Sequence, residues 1–320
     1  MPTAPWDAPA GSSSFSPPMV TYHVPVLVDE VDRLATGYGR AVDATVGDGG
    51  HTERLRALGA DVLAIDRDPD ALRRARHRLG DTQIRWVEGA FADEDVHAQI
   101  AAFRPDFVLL DLGVSSRQFD EADRGFSFRP GVPLDMRMGG QGPTAADLLA
   151  SRSQRELAQL FREYADERRA SRLAAAIARR RRHHPFTVSD DLVNAIREVL
   201  GPRSGPSDFA RVFQAVRMAV NDELGQLRTA LESMRDALAP HGRLAVISYH
   251  SGEDRVVKHE FREWARSCVC PAGQPICTCR GRALGRVDPS RPIVPTSEEI
   301  AVNPRARSAK LRGFVRDATP

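Results

Sequence analysis

The sequence predicts an α/β protein, a parallel sheet with right-handed crossovers that is interrupted by inserted helices. From residue 40 onward, short apolar runs alternate with helical patterns, which is typical of parallel strands joined by helices. The alternation stops after Asp111, and from Thr144 to about Leu238 nearly every segment has helical spacing. At Arg243 an apolar run of the earlier kind returns. One sheet domain with an insertion between its fourth and fifth strands is the simplest interpretation.

Five apolar runs are predicted to be the parallel strands, because buried parallel strands are apolar without interruption. The first four are RAVDATVG, DVLAIDRD, QIRWVEGAF and PDFVLLDLG, and the fifth is GRLAVISYH. A helix is predicted over Glu253–Arg266. The segment SAKLRGFVR predicts a final strand. The sequence leaves open whether this strand runs parallel or antiparallel to the others.

The domain boundaries follow from the same patterns. The first residues are rich in Pro, Ser, Ala and Gly, which favours disorder. The helix before Pro240 is assigned to the sheet domain, as the crossover into the fifth strand. The predicted segments are a disordered leader at 1–20, the first part of the sheet domain at 21–135, an inserted helical substrate-recognition domain at 136–222, and the second part at 223–320 with a Cys-rich loop at 268–279.

Composition excludes several classes of protein. The chain has 320 residues, 42% of them apolar, and a net charge of only +2, so neither a wholly disordered chain nor a strongly basic one is expected. No run approaches the roughly 20 apolar residues of a membrane span. The N-terminus lacks the basic start and apolar core of a secretory signal. We therefore expect a cytoplasmic protein whose cysteines are thiols or metal ligands.

A glycine-rich turn follows the first strand and can bring backbone N–H groups close to a ligand. A dinucleotide fingerprint that starts at Gly47 would require glycine at position 52, where Thr52 stands. The pattern from Asp43 to Gly49, acid-x-x-x-Gly-x-Gly, is instead that of S-adenosylmethionine enzymes. Alone this motif is weak, since such a turn can be only a turn.

The other strand ends add candidate ligand-binding residues. Asp66 ends the second strand, where a carboxylate can accept ribose hydroxyls. The alternative is an acid at a helix start, a role that we assign to Asp68 or Asp70. Phe91 follows the third strand and is either an aromatic residue near an adenine or a core phenylalanine. Asp111 ends the fourth strand, and an acid there faces the ligand crevice of an open sheet.

The loop at 111–138, DLGVSSRQFDEADRGFSFRPGVPLDMRM, closely resembles the signature of the bacterial small-subunit ribosomal RNA methyltransferase H family, also called MraW. The resemblance spans about Tyr22 to Val315 and includes HVPVLVDEV, DATVGDGGHT, IDRDPDA, FQAVRMAVNDEL, ISYHSGEDRVVK and NPRARSAKLR. It implies a class I S-adenosylmethionine-dependent, Rossmann-like methyltransferase sheet with an inserted all-helical domain. It also implies methyl transfer from S-adenosylmethionine to the N4 amine of a cytidine in the decoding region of small-subunit (16S) ribosomal RNA.

The resemblance also implies a set of site residues. The proton acceptor for the target amine does not follow from the resemblance, and our candidates for it are Asp111 and backbone carbonyls of the loop that follows. Many amino-methyltransferases carry an Asp/Asn-Pro-Pro-aromatic tetrad at this place, whereas this chain has Asp111-Leu-Gly-Val, so that mechanism is not transferred. The family's cofactor positions correspond to Gly49, Gly50, His51, Asp66, Phe91, Asp111 and Gln118.

The expected partner is the small ribosomal subunit with its 16S ribosomal RNA, and no protein partner is evident from the sequence. Phe126, Phe128 and Tyr249 are candidates for stacking on an extruded base. The alternative for the two phenylalanines is that GFSF fills the junction between the domains.

Two arginine clusters are candidate phosphate contacts. One is the helix end Arg179–Arg182 with His184, although cations are also favoured there by the helix dipole. The other is Arg305 and Arg307 in NPRARS, where the surrounding segment resembles the family closely.

All four cysteines of the chain lie within CVCPAGQPICTC. Two Cys-x-Cys pairs can fold back into a tetrahedral thiolate site, although their spacing differs from that of a zinc knuckle. The alternative is a reduced surface loop, and the sequence assigns no metal. The cysteines are Cys268, Cys270, Cys277 and Cys279.

Two other classes of function compete with the methyltransferase. A nicotinamide-linked oxidoreductase can use a similar sheet, but Thr52 argues against its fingerprint. A non-catalytic RNA-binding or assembly protein with a vestigial pocket is disfavoured by the intact residues at the strand ends.

Overall fold

The computed structural model describes residues 25–112, 125–138 and 142–318, so the predicted leader lies outside the described residues. In chain order the elements are α1 (Val28–Ala35), β1 (Arg40–Asp43), α2 (Gly50–Ala57), β2 (Asp61–Asp66), α3 (Pro69–Leu79), β3 (Ile84–Glu88), α4 (Glu94–Phe103), β4 (Phe107–Asp111), α5 (Ala145–Ser151), α6 (Gln154–Ala165), α7 (Ala170–Arg180), α8 (Ser189–Leu200), α9 (Pro206–Val220), α10 (Glu223–Ala237), β5 (Arg243–Ser248), α11 (Ser251–Ala265), β6 (Gly285–Val287), α12 (Ser297–Val302), a 3-10 helix (Pro304–Ser308) and β7 (Lys310–Arg316).

Within the described residues, seven strands form one sheet in the order β3-β2-β1-β4-β5-β7-β6. Strands β1 to β5 are parallel, and β7 runs antiparallel between β5 and β6. The predicted α/β fold is confirmed, and the final strand is antiparallel. The chain order reverses between β1 and β4, which places a ligand crevice at the carboxyl ends of these two strands.

The sheet is covered by helices on both faces, which explains its uninterrupted apolar strands. Four consecutive residues of β2, from Val62 to Ile65, are buried. Side chains of α4, α10 and α11 form one apolar cluster with the sheet. Side chains of α1, α2 and α3 form a second cluster with it. The carboxyl ends of the strands remain as the place where a ligand can reach the sheet.

The helices from α5 to α9 share an apolar core of their own, which includes Leu157, Phe161, Leu173 and Ile196. Helix α10 instead contributes Leu224, Leu227, Ala230, Leu231 and Met234 to the cluster on the sheet. It is therefore the crossover helix that the sequence predicts before the fifth strand. The segment boundaries at 135/136 and 222/223 stay predictions.

The loop before α5 is held to the end of α9 by one side chain. Asn221 Oδ1 accepts from the Met138 N–H at 2.8 Å, and its Nδ2 donates to the Met136 carbonyl at 2.8 Å. Beside it, the buried guanidinium of Arg217 pairs with Glu223 through two hydrogen bonds of 2.8 and 3.0 Å. These contacts join the inserted helices to the crossover helix.

The starts of two helices, α6 and α3, are capped by side chains. Ser153 and Glu156 form a capping box at α6, with bonds of 3.2 and 2.8 Å. Asp68 caps α3 by accepting from the Asp70 N–H at 2.9 Å. None of the helices in the described residues is both long and apolar enough to span a bilayer.

Candidate active site

Strand β1 ends in a buried carboxylate. Asp43 is 1% exposed, and it accepts from the Thr52 hydroxyl at 2.6 Å and from the Thr45 N–H at 3.2 Å. Burial raises the pKa of Asp43 to about 6, although these two hydrogen bonds act to lower it. The carboxylate therefore fixes the glycine-rich turn from beneath.

The glycines of the turn serve two purposes. Gly47 and Gly49 have φ of +53° and +82°, in the left-handed region that favours glycine. A Cβ on Gly49 would lie 3.1 Å from that of Ala75, and one on Gly50 would lie 2.8 Å from Pro25 Cγ. A Cβ on Gly47 would meet nothing within 4 Å. Gly49 and Gly50 therefore allow protein packing around the start of α2, and Gly47 borders open space.

Asp66 ends β2 and is bound to the turn. Its Oδ2 accepts from the Gly47 N–H at 2.7 Å, and its Oδ1 accepts from the Asp68 N–H at 2.9 Å. Burial raises the pKa of Asp66, partly offset by these two N–H groups. A carboxylate has about four acceptor positions, so each oxygen can accept a further donor.

Of the cofactor candidates Phe91 and Gln118, the structure describes Phe91 but not Gln118. Phe91 follows β3, is half-buried and packs against the apolar cluster of the sheet. The main-chain carbonyl of Phe91 lies 3.0 Å from the Nε2 atom of His97. Gln118 lies outside the described residues.

His51 lies in the first turn of α2 and is 5% exposed. Burial lowers the pKa of His51 to about 4, although the Asp32 carboxylate acts in the opposite direction. Neither ring nitrogen has a hydrogen-bond partner among the described residues. Its Nε2 lies 3.7 Å from Asp111 Oδ2, so the neutral ring stands beside the acid at the end of β4.

Asp111 connects three strand ends. Its N–H donates to the Thr45 hydroxyl at 2.7 Å, and its Oδ1 accepts from the Tyr249 hydroxyl at 2.8 Å. Burial raises the pKa of Asp111 to about 7, and the nearby carboxylates of Asp43 and Glu253 act in the same direction. Burial and the Asp111 carboxylate raise the pKa of Tyr249, so its hydroxyl stays a donor.

The start of α11 is anchored beside this pair by an acid that the sequence did not single out. Glu253 is 3% exposed and accepts from the Tyr249 N–H at 3.0 Å. Its other oxygen lies 2.9 Å from His250 Nε2. In the sequence, Glu253 is marked only as the first residue of a predicted helix and as part of the motif ISYHSGEDRVVK. Its contacts fix the backbone that carries Tyr249.

The electrostatics of the crevice are anionic. Asp43, Asp66 and Asp111 end β1, β2 and β4, and among the described residues none of them pairs with a lysine or arginine. Two N–H groups of the turn are already used, because Gly47 donates to Asp66 and Gly49 to the Val46 carbonyl at 2.8 Å. The crevice therefore suits a cation with hydroxyl groups better than a phosphate.

The proposed stacking role of Phe126 is wrong for this arrangement, because the ring is 6% exposed within the core of the inserted helices. Phe128 packs edge-to-face on Phe209 and Phe213, at centroid distances of 5.9 and 6.1 Å. The alternative, that this segment fills the junction, agrees with these contacts. Of the three aromatics, Tyr249 stays a candidate.

The arginines at the end of α7 do not share one environment. Arg179 and Arg180 both pair with Glu198, the latter at 3.1 Å. Arg181 donates to two main-chain carbonyls at the end of α5, each at 2.7 Å. Arg182 is exposed. Arg181 is therefore a structural link, and the other three are the candidates for phosphate.

The second arginine cluster lies at the same sheet edge as Asp111. Arg305 and Arg307 are exposed on the 3-10 helix that precedes β7. The first residue of β7, Lys310, pairs with Ser248 at the carboxyl end of β5. That register places the cluster next to the crevice.

A sheet in this order, with an antiparallel seventh strand and a glycine-rich turn after β1, is the sheet of the class I S-adenosylmethionine-dependent methyltransferases. Within this class the chain belongs to the MraW methylase family, whose model matches residues 20–317. The ribosomal RNA small subunit methyltransferase H of Gemmatimonas aurantiaca is 53% identical over 92% of this chain and 95% of its own length. The protein of the same name from Symbiobacterium thermophilum is 43% identical over 93% of this chain and 98% of its own.

Similarity to solved structures is weaker. The crystal structure of an rRNA methylase from Streptococcus thermophilus matches 91% of this chain and 93% of that one, with a TM-score of 0.40 and 12% identity. The family assignment therefore rests on the sequence matches.

Proposed function

We propose that this chain transfers a methyl group from S-adenosylmethionine to the N4 amine of a cytidine in the decoding region of small-subunit (16S) ribosomal RNA. The observation that carries the proposal is the Asp111–Tyr249 contact, a half-buried acid held beside the glycine-rich turn in a member of a methylase family. The names of the relatives support ribosomal RNA as the substrate. The cytidine N4 specificity is inferred from the resemblance of the segment 111–138.

The crevice fits S-adenosylmethionine by its chemistry. This cofactor carries a sulfonium, an ammonium and two ribose hydroxyls, and it has no phosphate. Three strand-end carboxylates that form no salt bridge with a lysine or arginine of the described residues favour a cation, because an opposite charge stabilises their ionised forms. A pyrophosphate would need free N–H groups at the turn, whereas those of Gly47 and Gly49 are already used. The nicotinamide-linked alternative is therefore disfavoured.

Each cofactor residue has a proposed task. Asp66 would accept the ribose hydroxyls, since both of its oxygens keep acceptor capacity. Gly49 and Gly50 would shape the turn through the close packing of α2, without contacting the ligand through side chains. The remaining family positions, which are proposed to line the same site, are His51, Phe91 and Gln118.

The bound cofactor supplies a methyl carbon on a sulfonium, a neutral thioether leaving group that needs no general acid. The amine lone pair forms the new N–C bond as the C–S bond breaks with its electrons to sulfur, and the amine then loses one proton. The protein must align and dehydrate a nitrogen whose lone pair is delocalised into the cytosine ring. Positioning of this kind supplies several kcal/mol.

Asp111 is proposed to take the amine proton. Its Oδ1 accepts from Tyr249, whereas its Oδ2 accepts no hydrogen bond from the described residues and lies 3.7 Å from His51 Nε2. Burial holds the pKa of Asp111 at about 7, which suits a general base near neutral pH. Tyr249 acts through Asp111 and is a positioning residue.

The substrate is proposed to be RNA within a ribosomal particle. A net charge of +2 argues against a clamp for naked nucleic acid, which usually shows a strong basic excess. Arg305 and Arg307 lie at the sheet edge of the crevice. The helices from α5 to α9 follow β4, so they emerge near Asp111 and can contact RNA around the target base.

The test is labelled methyl transfer to small subunits isolated from cells that lack the gene, followed by nucleoside digestion and mass spectrometry. We expect label on cytidine N4, and none with Asp111→Asn at matched cofactor occupancy. Label on a ring carbon, a ribose oxygen or protein would contradict the specificity. Equal transfer to a short unstructured oligonucleotide would refute particle recognition.

The assembly-protein alternative predicts a different outcome in the same assay. Such a protein would bind the small subunit and transfer no label, whether or not it bound the cofactor. Binding measured by sedimentation together with transfer measured on the same sample distinguishes the two.

A further inference from the structure

The loop between α11 and β6 brings four sulfur atoms together. The Sγ atom of Cys277 lies 3.8 Å from those of Cys268 and Cys270 and 3.4 Å from that of Cys279. The Cys268 and Cys279 sulfurs are 3.8 Å apart. All four sulfurs lie within 4.8 Å of one another. Residues up to 11 positions apart in sequence therefore converge on one point.

These separations match a single metal ion rather than a disulfide. A disulfide requires sulfurs at about 2.05 Å. Four thiolates at about 2.3 Å from a tetrahedral zinc ion stand about 3.8 Å apart, which is the edge of that tetrahedron. We propose that Cys268, Cys270, Cys277 and Cys279 bind one Zn²⁺ ion as a closed structural site.

The short distances between the four sulfur atoms favour a single metal ion over a cluster of several irons. A cluster of several irons and sulfides is larger than one ion and holds at least two of its thiolates farther apart than 4.8 Å. Soft thiolate ligands with tetrahedral geometry favour zinc or a single iron among the common metals. Since all four positions are filled by protein, no open position is left for a substrate.

The loop has almost no apolar packing of its own. From Arg266 to Leu284, all of which the structure describes, there is neither a helix or strand nor a buried residue, and Ile276 is 74% exposed. Long stretches without secondary structure are uncommon in compact domains. Metal binding can supply the folding free energy that apolar burial does not supply here.

The surrounding main chain supports thiolate ligands. The Val269 N–H donates to the Cys279 sulfur at 3.3 Å, a contact that stabilises negative charge on sulfur. Arg280, next to the last cysteine, donates to the Arg266 carbonyl at 2.9 Å and to the Trp264 carbonyl at 3.4 Å. These bonds join the two ends of the loop at the C-terminus of α11.

The proposed zinc site is remote from the crevice. Helix α11 starts beside Tyr249 and runs back along the sheet, and β6 begins at Gly285, which pairs with Arg316 at the far end of β7. The loop therefore lies at the edge where β5 begins, opposite Asp111. Its metal is structural, and its test is independent of methyl transfer.

The experiment measures metals by mass spectrometry in the full-length chain, purified without chelator or added metal. We expect about one zinc per chain that persists through gel filtration. Cys277→Ser should lose it, and Ser267→Ala, a nearby change at a residue that is not a ligand, should keep it. Cobalt substitution should give the visible absorption bands of a tetrahedral thiolate site.

A second measurement uses the unmutated protein, so that it does not depend on the folding of a variant. Removal of the metal with a chelator should expose the bonds after Arg280 and Arg282 to trypsin, and added zinc should protect them again. Four freely titrating thiols with no metal, a disulfide found by peptide mass spectrometry, or one iron in place of zinc would each overturn the proposal.

Discussion

The Tyr249 hydroxyl donates a 2.8 Å hydrogen bond to Asp111 Oδ1, and so joins the ends of the adjacent strands β4 and β5 beside the crevice. The two residues are 138 positions apart in sequence. The contact keeps one oxygen of the acid occupied and aims the other toward His51 and the crevice. It links the residue proposed as proton acceptor to one that the sequence indicated only as a candidate for stacking.

Removal of that hydroxyl should change the pH dependence of the reaction. In Tyr249→Phe, Asp111 loses a hydrogen bond that favours its ionised form, so the pKa of Asp111 should rise further. A hydrogen bond to a charged group is worth about 1.5–3 kcal/mol, so the rising limb of the methyl-transfer rate should move up by about one pH unit or more. Single-turnover rates measure this, and an unmoved pH profile would contradict the proposed role of Tyr249.

Cofactor binding should release protons near pH 6.5. Burial raises the pKa of Asp43 to about 6 and that of Asp111 to about 7, so the free protein holds protons there. A bound cation favours the ionised acids, so affinity should rise with pH until both acids are ionised in the free protein, above about pH 7. Calorimetry in buffers of different ionisation enthalpy measures the release. Asp111→Asn should reduce it, and an unchanged release would exclude Asp111 as a source.

The same two acids should make the stability of the free protein fall as pH rises, whereas they make cofactor affinity rise with pH. Because their pKa values are raised by folding, the native state binds more protons than the unfolded state between about pH 4 and pH 7. Their contribution to the free energy of unfolding of the free protein therefore falls as pH rises through that window. A bound cation should diminish this loss.

Asp66→Ala should weaken cofactor binding by about 10- to 100-fold, because it removes a charged acceptor worth about 1.5–3 kcal/mol. Asp68→Ala is the matched control. It removes the cap of α3, which should cost about 1 kcal/mol of stability and leave the affinity nearly unchanged. Calorimetric titration gives both constants, and equal affinity in the wild-type protein and Asp66→Ala would rule out this assignment.

The arginines of α7 should separate into two groups. Neutralising Arg179, Arg180 and Arg182 with glutamine should weaken small-subunit binding and reduce its salt dependence by roughly 0.7–0.9 log–log unit per phosphate contact. Cofactor affinity should not change. Arg181→Gln should instead lower the melting temperature, since it leaves two carbonyls of α5 without their donor. If small-subunit binding has the same salt dependence in the wild-type protein and in this triple variant, the cluster is only a solvated helix end.

Asn221→Ala should destabilise the junction between the inserted helices and the sheet. It leaves the Met138 N–H and the Met136 carbonyl without this partner, at a cost of about 1–3 kcal/mol for each group left unsatisfied. Asn221→Asp keeps the acceptor but places a carboxylate oxygen against the Met136 and Arg217 carbonyls, so it should destabilise the junction as well. Urea unfolding measures both variants, and an unchanged free energy of unfolding in Asn221→Ala would contradict the proposed bridge.

The sequence was most informative where local patterns and burial agreed. Strands β1 to β5, helix α10 and the cap at Asp68 were predicted from signals that span only a few residues each. Strand β6 was not predicted. It has three residues and pairs only with the distant strand β7, so it carries no local sequence signal. Helix α12, with six residues and none buried, has no apolar stripe to detect.

The site was predictable in its positions and less so in its contacts. The strand-end acids Asp66 and Asp111 followed from the βα pattern, whereas the bond from Tyr249 to Asp111 depends on the docking of two strands. For the same reason the sequence left open whether Phe126 stacks on a base or fills the junction between the domains. An aromatic residue in a loop motif has the same sequence signature whether it faces RNA or a helical core.

The place of β7 in the sheet has a consequence during synthesis. The buried strand β5 has β7 as its neighbour on one side, and β7 begins only at Lys310, after the whole segment that contains α11, β6 and α12. At about 5–20 residues per second, a nascent chain waits several seconds with that edge open. An open apolar edge is a template for pairing with other chains. Chains released by the ribosome before Lys310 should therefore need chaperones and aggregate, whatever the state of their crevice.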